Sequence, residues 1–167
     1  MRHLALKTVI ICLVAFGSAA VQAQQPTAAP APPPAPPFGT PVTLPQAIKI
    51  ADAAMAEARK INVMMAVTIT EPTGDLVYFA KMDGAPYSAI QLAQAKAWTA
   101  ARFRRPTQAF NDQLAAGNSF FLTFGINAAP GGVMIVHDGK LIGALGISGG
   151  SGGQDTQVAT AGLAALK

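Results

Sequence analysis

The chain has almost none of the side chains on which common catalytic and metal sites depend. Its 167 residues include one cysteine, Cys12, and two histidines, His3 and His137. Cys12 and His3 both fall within the first 23 residues, so a chain processed after that point keeps one imidazole and no thiol. A disulfide framework, a thiolate nucleophile and a histidine–cysteine metal cage within one chain are then excluded.

Paired acids are also missing. Glu57 and Glu71 are the only glutamates, and neither is spaced with a second carboxylate for acid–base catalysis. A serine hydrolase would have to use His137, which stands beside an Asp-Gly turn with no nucleophile-elbow motif near it. We therefore predict no catalytic residues, and hydrolysis is disfavoured.

Charge is sparse throughout. Charged residues make up 12% of the chain, against about 25% in typical domains. The formal charge of +4 falls to +2 if Arg2 and Lys7 are removed, leaving 10 basic and 8 acidic residues. This balance predicts no nucleic-acid partner. It favours burial of surface in a homo-oligomer, since few charges are available to cover a small domain.

The first 42 residues have the composition of a leader and a linker. Arg2 and Lys7 precede an apolar run, and Val21-Gln-Ala23 places small residues at the cleavage positions, which is typical of a secretory signal peptide. We expect cleavage near Ala23 and a periplasmic or secreted protein. Residues 24–42 are rich in proline and alanine and predict an extended, solvated linker.

Residues 43–167 predict one domain with the element order α-β-β-α-α-β-β-α. Capping boxes are predicted at Thr43, Ser88 and Ser151, each with glutamine three residues later. Thr107 is predicted to cap a short helix after Pro106. Strand patterns on either side of residues 71–75 and of Asp138-Gly139 predict two hairpins. The fold class is therefore α+β, with an antiparallel β-sheet flanked by helices.

An ordered set of motifs then resembles the GlcG/HbpS family of haem-binding, or haem-degrading, domains. The motifs are Lys81-Met-Asp-Gly-Ala85, Ala95-Lys-Ala-Trp-Thr-Ala-Ala-Arg-Phe-Arg-Arg-Pro-Thr107, Pro130-Gly-Gly-Val, His137-Asp-Gly and Gly143-Ala-Leu-Gly-Ile-Ser-Gly-Gly150. The resemblance implies a profilin-like domain of the GlcG/HbpS type that assembles into symmetric oligomers, often octamers. It also implies haem as a cofactor, with a membrane sensor kinase as a partner in one branch. Thr70-Glu71-Pro72 departs from the usual Asp-x-Gly-like turn entry of the family.

Five residues are predicted to lie at a haem site. The resemblance places Lys96 and Thr99 at or near the pocket, and Phe103 shares their helix face. That face suits a pocket wall or a solvent-facing stripe. Arg102 could pair with a propionate or simply stabilise the helix C-terminus. His137 is the one imidazole available for iron, or an exposed strand-end residue.

A second site, for an anion or carboxylate, is predicted from Arg105 with Gly149, Gly150 and Ser151. Glycine amides that lead into a helix attract anions, although the same segment suits a tight strand-to-helix turn. The phenylalanines at 110, 120, 121 and 124 line an apolar cavity or belong to the core.

These observations support three hypotheses about function. The first is an exported, oligomeric protein that binds haem or a related tetrapyrrole for storage, sensing or turnover. The second is an enzyme or accessory protein for small 2-hydroxy acids such as glycolate. The third is a signalling partner of a membrane sensor kinase.

Overall fold

The computed structural model describes residues 34–166. The predicted signal peptide and residues 24–33 of the predicted linker lie outside this range. The elements are α1 (Leu44–Lys60), β1 (Ala66–Thr70), β2 (Leu76–Lys81), α2 (Ser88–Phe103), α3 (Thr107–Ala115), a 3-10 helix (Ser119–Phe124), β3 (Gly132–His137), β4 (Lys140–Ser148) and α4 (Gly152–Ala164). This order confirms the α+β prediction. None of the helices in residues 34–166 is long and apolar enough to cross a membrane.

The capping residues of the helices were predicted correctly in two cases and wrongly in two. Thr43 and Ser151 form complete capping boxes with Gln46 and Gln154. Ser88, by contrast, is the first residue of α2, after Tyr87 as N-cap, and no side chain caps this helix. Thr107 does not cap α3 either. Its hydroxyl instead accepts a hydrogen bond from the Gly132 amide at 3.0 Å, because this side chain is buried against β3.

The four strands form one antiparallel sheet in the order β2-β1-β4-β3. Both predicted hairpins are present. Between β3 and β4, Asp138 and Gly139 have φ values of 49° and 72°, which a two-residue hairpin turn of the primed type requires. The pairing of β1 with β4 brings the two hairpins together in the centre of the sheet.

Helices cover both faces of the sheet. Helices α1 and α4 pack on one face over a core that includes Ile50, Val67, Leu145 and Val158. Helix α2 packs on the other face through its buried alanines, Ala89, Ala93, Ala97, Ala100 and Ala101. It approaches so closely that a Cβ at Gly146 would collide with the carbonyl oxygen of Ala93.

The end of the predicted linker is attached to the domain, which differs from the solvated linker expected through residue 42. The Leu141 amide donates to the Pro37 carbonyl at 2.8 Å, and the Gly39 amide donates to the Leu141 carbonyl at 2.8 Å. Phe38 pairs with Leu141 in a parallel bridge. This part of β4 extends past the end of β1, so its free backbone groups are paired by residues 37–39.

Candidate functional site

Lys96, one of the predicted pocket residues, forms a buried ion pair. Its ammonium lies 2.7 Å from the Asp155 carboxylate and donates to the Ile147 carbonyl at 3.0 Å. Only 3% of each charged side chain is exposed. Burial raises the pKa of Asp155, while the Lys96 hydrogen bond and charge and the Gly150 amide act in the opposite direction. The pair joins α2, β4 and α4, and leaves this ammonium little freedom to bind a ligand.

Thr99 is also buried and bonded within the fold. Its hydroxyl accepts a hydrogen bond from the Asn127 amide at 3.0 Å. Thr99 therefore anchors the segment between the 3-10 helix and β3 to α2. Lys96 and Thr99 thus lie on a buried face of α2 and do not form a solvent-facing stripe.

The cations near the end of α2 lie against aromatic rings. The Arg102 guanidinium is 5.1 Å from the Trp98 ring centre, and that of Arg105 is 5.5 Å from the Phe110 ring centre. Phe103 packs between three rings, those of Trp98, Phe110 and Phe124. Such stacking orients the guanidinium groups while leaving their N–H donors available to an anion.

The phenylalanine cluster combines core and surface positions. Phe110 is 1% exposed, whereas Phe120 is 62% exposed and Phe124 36% exposed. Phe120 packs edge-on against Phe121 and Phe124. The core interpretation therefore holds for Phe110, and the 3-10 helix presents an apolar surface.

The glycine-rich segment after β4 binds the carboxylate of Asp155, a residue of the same chain. The Gly150 amide donates to Asp155 Oδ1 at 3.0 Å, and the Ser151 amide donates to the Gln154 side chain at 2.9 Å. Gly149, with φ 141°, packs against the backbone of Met64 and Met65. Among the described residues, Arg105 forms no hydrogen bond or ion pair with this segment. The anion-binding chemistry expected of Gly150 is thus present but directed to Asp155, a residue that was not predicted to lie at the site.

His137 lies at the end of β3 with its side chain 49% exposed and its Nε2 atom 3.6 Å from the Asp138 carboxylate. It lines two grooves. One has a volume of about 440 Å³ and apolar walls that include Met134, Leu163 and Leu166. The other, of about 330 Å³, includes Lys140.

The predicted haem-site residues do not form a single site around His137. Neither groove beside this histidine is lined by Lys96, Thr99, Arg102 or Phe103. Lys96 donates a hydrogen bond to Ile147 of β4. His137 pairs with Lys140 of the same strand, seven residues before Ile147. That separation is about 23 Å along a strand.

A further groove, which was not predicted, lies between β1 and α2. Its volume is about 500 Å³, and its lining includes Thr68, Thr70, Gln94 and Trp98. The hydroxyl groups of Thr68 and Thr70 are buried there without a hydrogen-bond partner. The signal in the sequence was a strand in which threonine alternates with Val67 and Ile69.

Metal ligands are not clustered in the described part of the chain. Residues 34–166 contain no group of three or more His, Cys, Asp or Glu placed to hold a metal ion.

Comparison with known proteins places this fold and these motifs in one family. The family described as haem-degrading protein HbpS-like matches residues 42–164. Protein GlcG of Escherichia coli is 38% identical over 97 residues, which are 58% of this chain and 72% of GlcG. A double-mutant form of HbpS from Streptomyces reticuli is 30% identical with a TM-score of 0.71, covering 85% of this chain and 99% of that one. The PduOC:heme complex is 30% identical with a TM-score of 0.70, covering 75% and 95%. The chain therefore belongs to the HbpS-like family.

Proposed function

We propose that this protein binds haem or a related tetrapyrrole, and that His137 would hold the iron. Its family is described as haem-degrading, and a structural relative was solved as a heme complex. The observation that carries the assignment to a site is the half-exposed imidazole of His137 between two grooves. Haem iron is commonly held by a histidine, and bound haem supplies a redox-active iron centre.

The residues around His137 fit such a group. Val136, Leu163 and Leu166 provide apolar contact for a macrocycle, and Met134 places a thioether in the same groove. On the other side of the imidazole, Lys140 provides a cation for a propionate. The larger groove between β1 and α2 fits haem iron less well, because its lining contains no imidazole, thiolate or thioether.

A haem titration of the purified protein tests this proposal. We expect a saturable, shifted Soret band in the native chain and in Met134→Leu, which keeps the apolar wall. His137→Gly should lose the band, and added imidazole should restore it by occupying the vacated position. A flat titration of the native chain overturns haem binding. An unchanged band in His137→Gly overturns the role of this histidine as the residue that holds the iron.

The wider role proposed here is that of an exported homo-oligomer. The signal-like first 23 residues support export, and the scarcity of charge together with exposed apolar side chains such as Phe120 and Leu122 supports self-association. Cell fractionation with N-terminal sequencing tests export and cleavage near Ala23, and light scattering tests assembly, including the octamer. A sensor-kinase partner is tested by co-purification with a membrane kinase. A monomer at micromolar concentration, or an unprocessed intracellular protein, would contradict these proposals.

A further inference from the structure

We propose that the groove between β1 and α2 is a second binding site, for an uncharged aromatic small molecule that carries hydrogen-bonding groups. Two buried threonine hydroxyls, of Thr68 and Thr70, form its polar floor. The single tryptophan of the chain, Trp98, forms part of its wall. This site is separate from the grooves beside His137 and does not depend on haem binding.

The threonine floor is the first observation. Thr68 is fully buried and Thr70 is 2% exposed, and neither hydroxyl oxygen has a hydrogen-bond partner. Their cross-strand neighbours explain this, because Thr68 lies opposite Gly146 and Phe79, and Thr70 lies opposite Ala144 and Leu76. Three of these neighbours have hydrocarbon side chains and the glycine has none, so none of the four can form a side-chain hydrogen bond with a hydroxyl.

The buried threonines elsewhere in the fold behave differently. The Thr99 hydroxyl accepts the Asn127 amide, and the Thr107 hydroxyl accepts the Gly132 amide. A buried hydroxyl without a partner costs free energy of folding, so native proteins rarely keep one without a reason. Two such hydroxyl groups lie on alternate residues of one strand, and both residues line the same groove. This arrangement points to a ligand that supplies the missing hydrogen bonds.

The shape of the groove follows from the packing of α2. This helix contacts β4 most closely, at Gly146, and it also packs on Ala66 of β1. The groove lies farther along β1 and β2, beside Thr70 and Leu76. Gln91, Gln94, Ala95 and Trp98 recur at helical spacing and form the wall that faces this space. The resulting volume of about 500 Å³ is in the range of small-molecule sites.

The chemistry of the lining selects the ligand class. The groove is lined by hydroxyl, amide, indole and aliphatic groups, and none of the lining residues is charged. The lining itself offers an ionised ligand no counter-charge for the hydration that it loses, which disfavours a charged ligand. The cation beside the groove, Arg102, is stacked on Trp98. An aromatic ring can pack on Trp98 and Leu76. Because the hydroxyl oxygens of Thr68 and Thr70 are fully buried, an amide or hydroxyl substituent pairs with them only when the side chains that cover them shift.

Fluorescence of Trp98 provides the test, because no other tryptophan contributes to the signal. We use benzamide and nicotinamide as uncharged probes, benzoate and nicotinate as their charged counterparts, and acetamide as the non-aromatic control. We expect saturable changes with the two aromatic amides and binding that is weaker by about fivefold or more with the carboxylates. Acetamide should give no saturable change.

A double variant, Thr68→Val with Thr70→Val, keeps the shape of the floor and removes its hydroxyls. We expect amide affinity to fall by about tenfold, with no loss of thermal stability. The exposed Thr160→Val serves as the matched control and should leave binding unchanged.

Several outcomes would overturn the proposal. One is the absence of saturation by either amide up to about 50 mM, which is also the result expected if ordered water alone fills the groove. Equal binding of benzoate and benzamide would overturn the uncharged class. Unaltered affinity in the double variant, or a clear loss of its stability, would show that the hydroxyls do not serve a ligand.

Discussion

Lys96 and Asp155 are 59 residues apart in sequence, and their charged groups lie 2.7 Å apart in a region where each side chain is 3% exposed. The contact joins the middle of α2 to the first turn of α4. Gly131 lies against both side chains, and a Cβ at this position would approach Asp155 Cβ to 2.7 Å and Lys96 Nζ to 3.3 Å. The Pro130-Gly-Gly motif thus makes room for the ion pair.

Removing one partner of this pair should destabilise the fold strongly. Lys96→Met leaves a buried carboxylate without its cation, which typically costs about 3–5 kcal/mol. Urea unfolding of the variant and the native chain measures the loss. Lys60→Met breaks the pair between Glu57 and the solvent-exposed Lys60 and is the matched control, for which we expect little change.

The stability of Lys96→Met should also depend on pH differently from that of the native chain. The pKa of Asp155 is already raised by burial, and loss of Lys96 removes two influences that lower it. When the pKa of a carboxyl group is higher in the folded protein than in the unfolded chain, the folded protein holds the proton more tightly. The free energy of unfolding then falls as pH rises through the folded-state pKa. Lys96→Met should therefore be more stable, relative to the native chain, at about pH 5 than at about pH 7. An equal deficit at both values would contradict the assignment.

The contact between α2 and β4 should tolerate no side chain at Gly146. Gly146→Ala drives a Cβ into the backbone of Ala93 and Ala97, so α2 must move away from the sheet. We expect a loss of about 3 kcal/mol or more, measured by thermal or urea unfolding. Gly153→Ala is the control, because a Cβ there meets no atom within 4 Å and the position is helical. It should be neutral or slightly stabilising.

The buried threonines should divide into two groups when replaced by valine. Thr99→Val removes the acceptor of the Asn127 amide and should cost about 1–3 kcal/mol. Thr68→Val removes a hydroxyl that has no partner and should be neutral or stabilising. Differential scanning calorimetry of both variants checks the contrast. Equal losses at the two positions would show that Thr68 has a partner within the fold.

The two serines with capping-box spacing should also respond differently. Ser151→Ala removes a side chain that caps α4 and should cost about 1 kcal/mol. Ser88→Ala removes no cap, since Ser88 lies inside the first turn of α2, and should leave stability unchanged. A loss at Ser88 similar to that at Ser151 would contradict the boundary of α2.

Sequence and structure agree where local chemistry decides the conformation. Thr43 and Ser151 cap helices because their partners are three residues away, and Asp138-Gly139 turns because few other residue pairs adopt two successive positive φ values. Ser88 and Thr107 are residue types that commonly cap helices, yet each lies inside its helix, after Tyr87 or Pro106 as the N-cap. Thr107 in addition bonds to Gly132, 25 residues away, which no local pattern reports.

The sequence by itself determined the α+β class, the order of the elements and the family, because these depend on periodicity, turn residues and ordered motifs. Only the tertiary structure decided what the polar groups do. It joined Lys96 to Asp155, separated both from His137, and left Thr68 and Thr70 without partners beside Trp98. The physical reason is that hydrogen bonds and ion pairs form between groups that folding brings together, and residue type alone does not specify the partner.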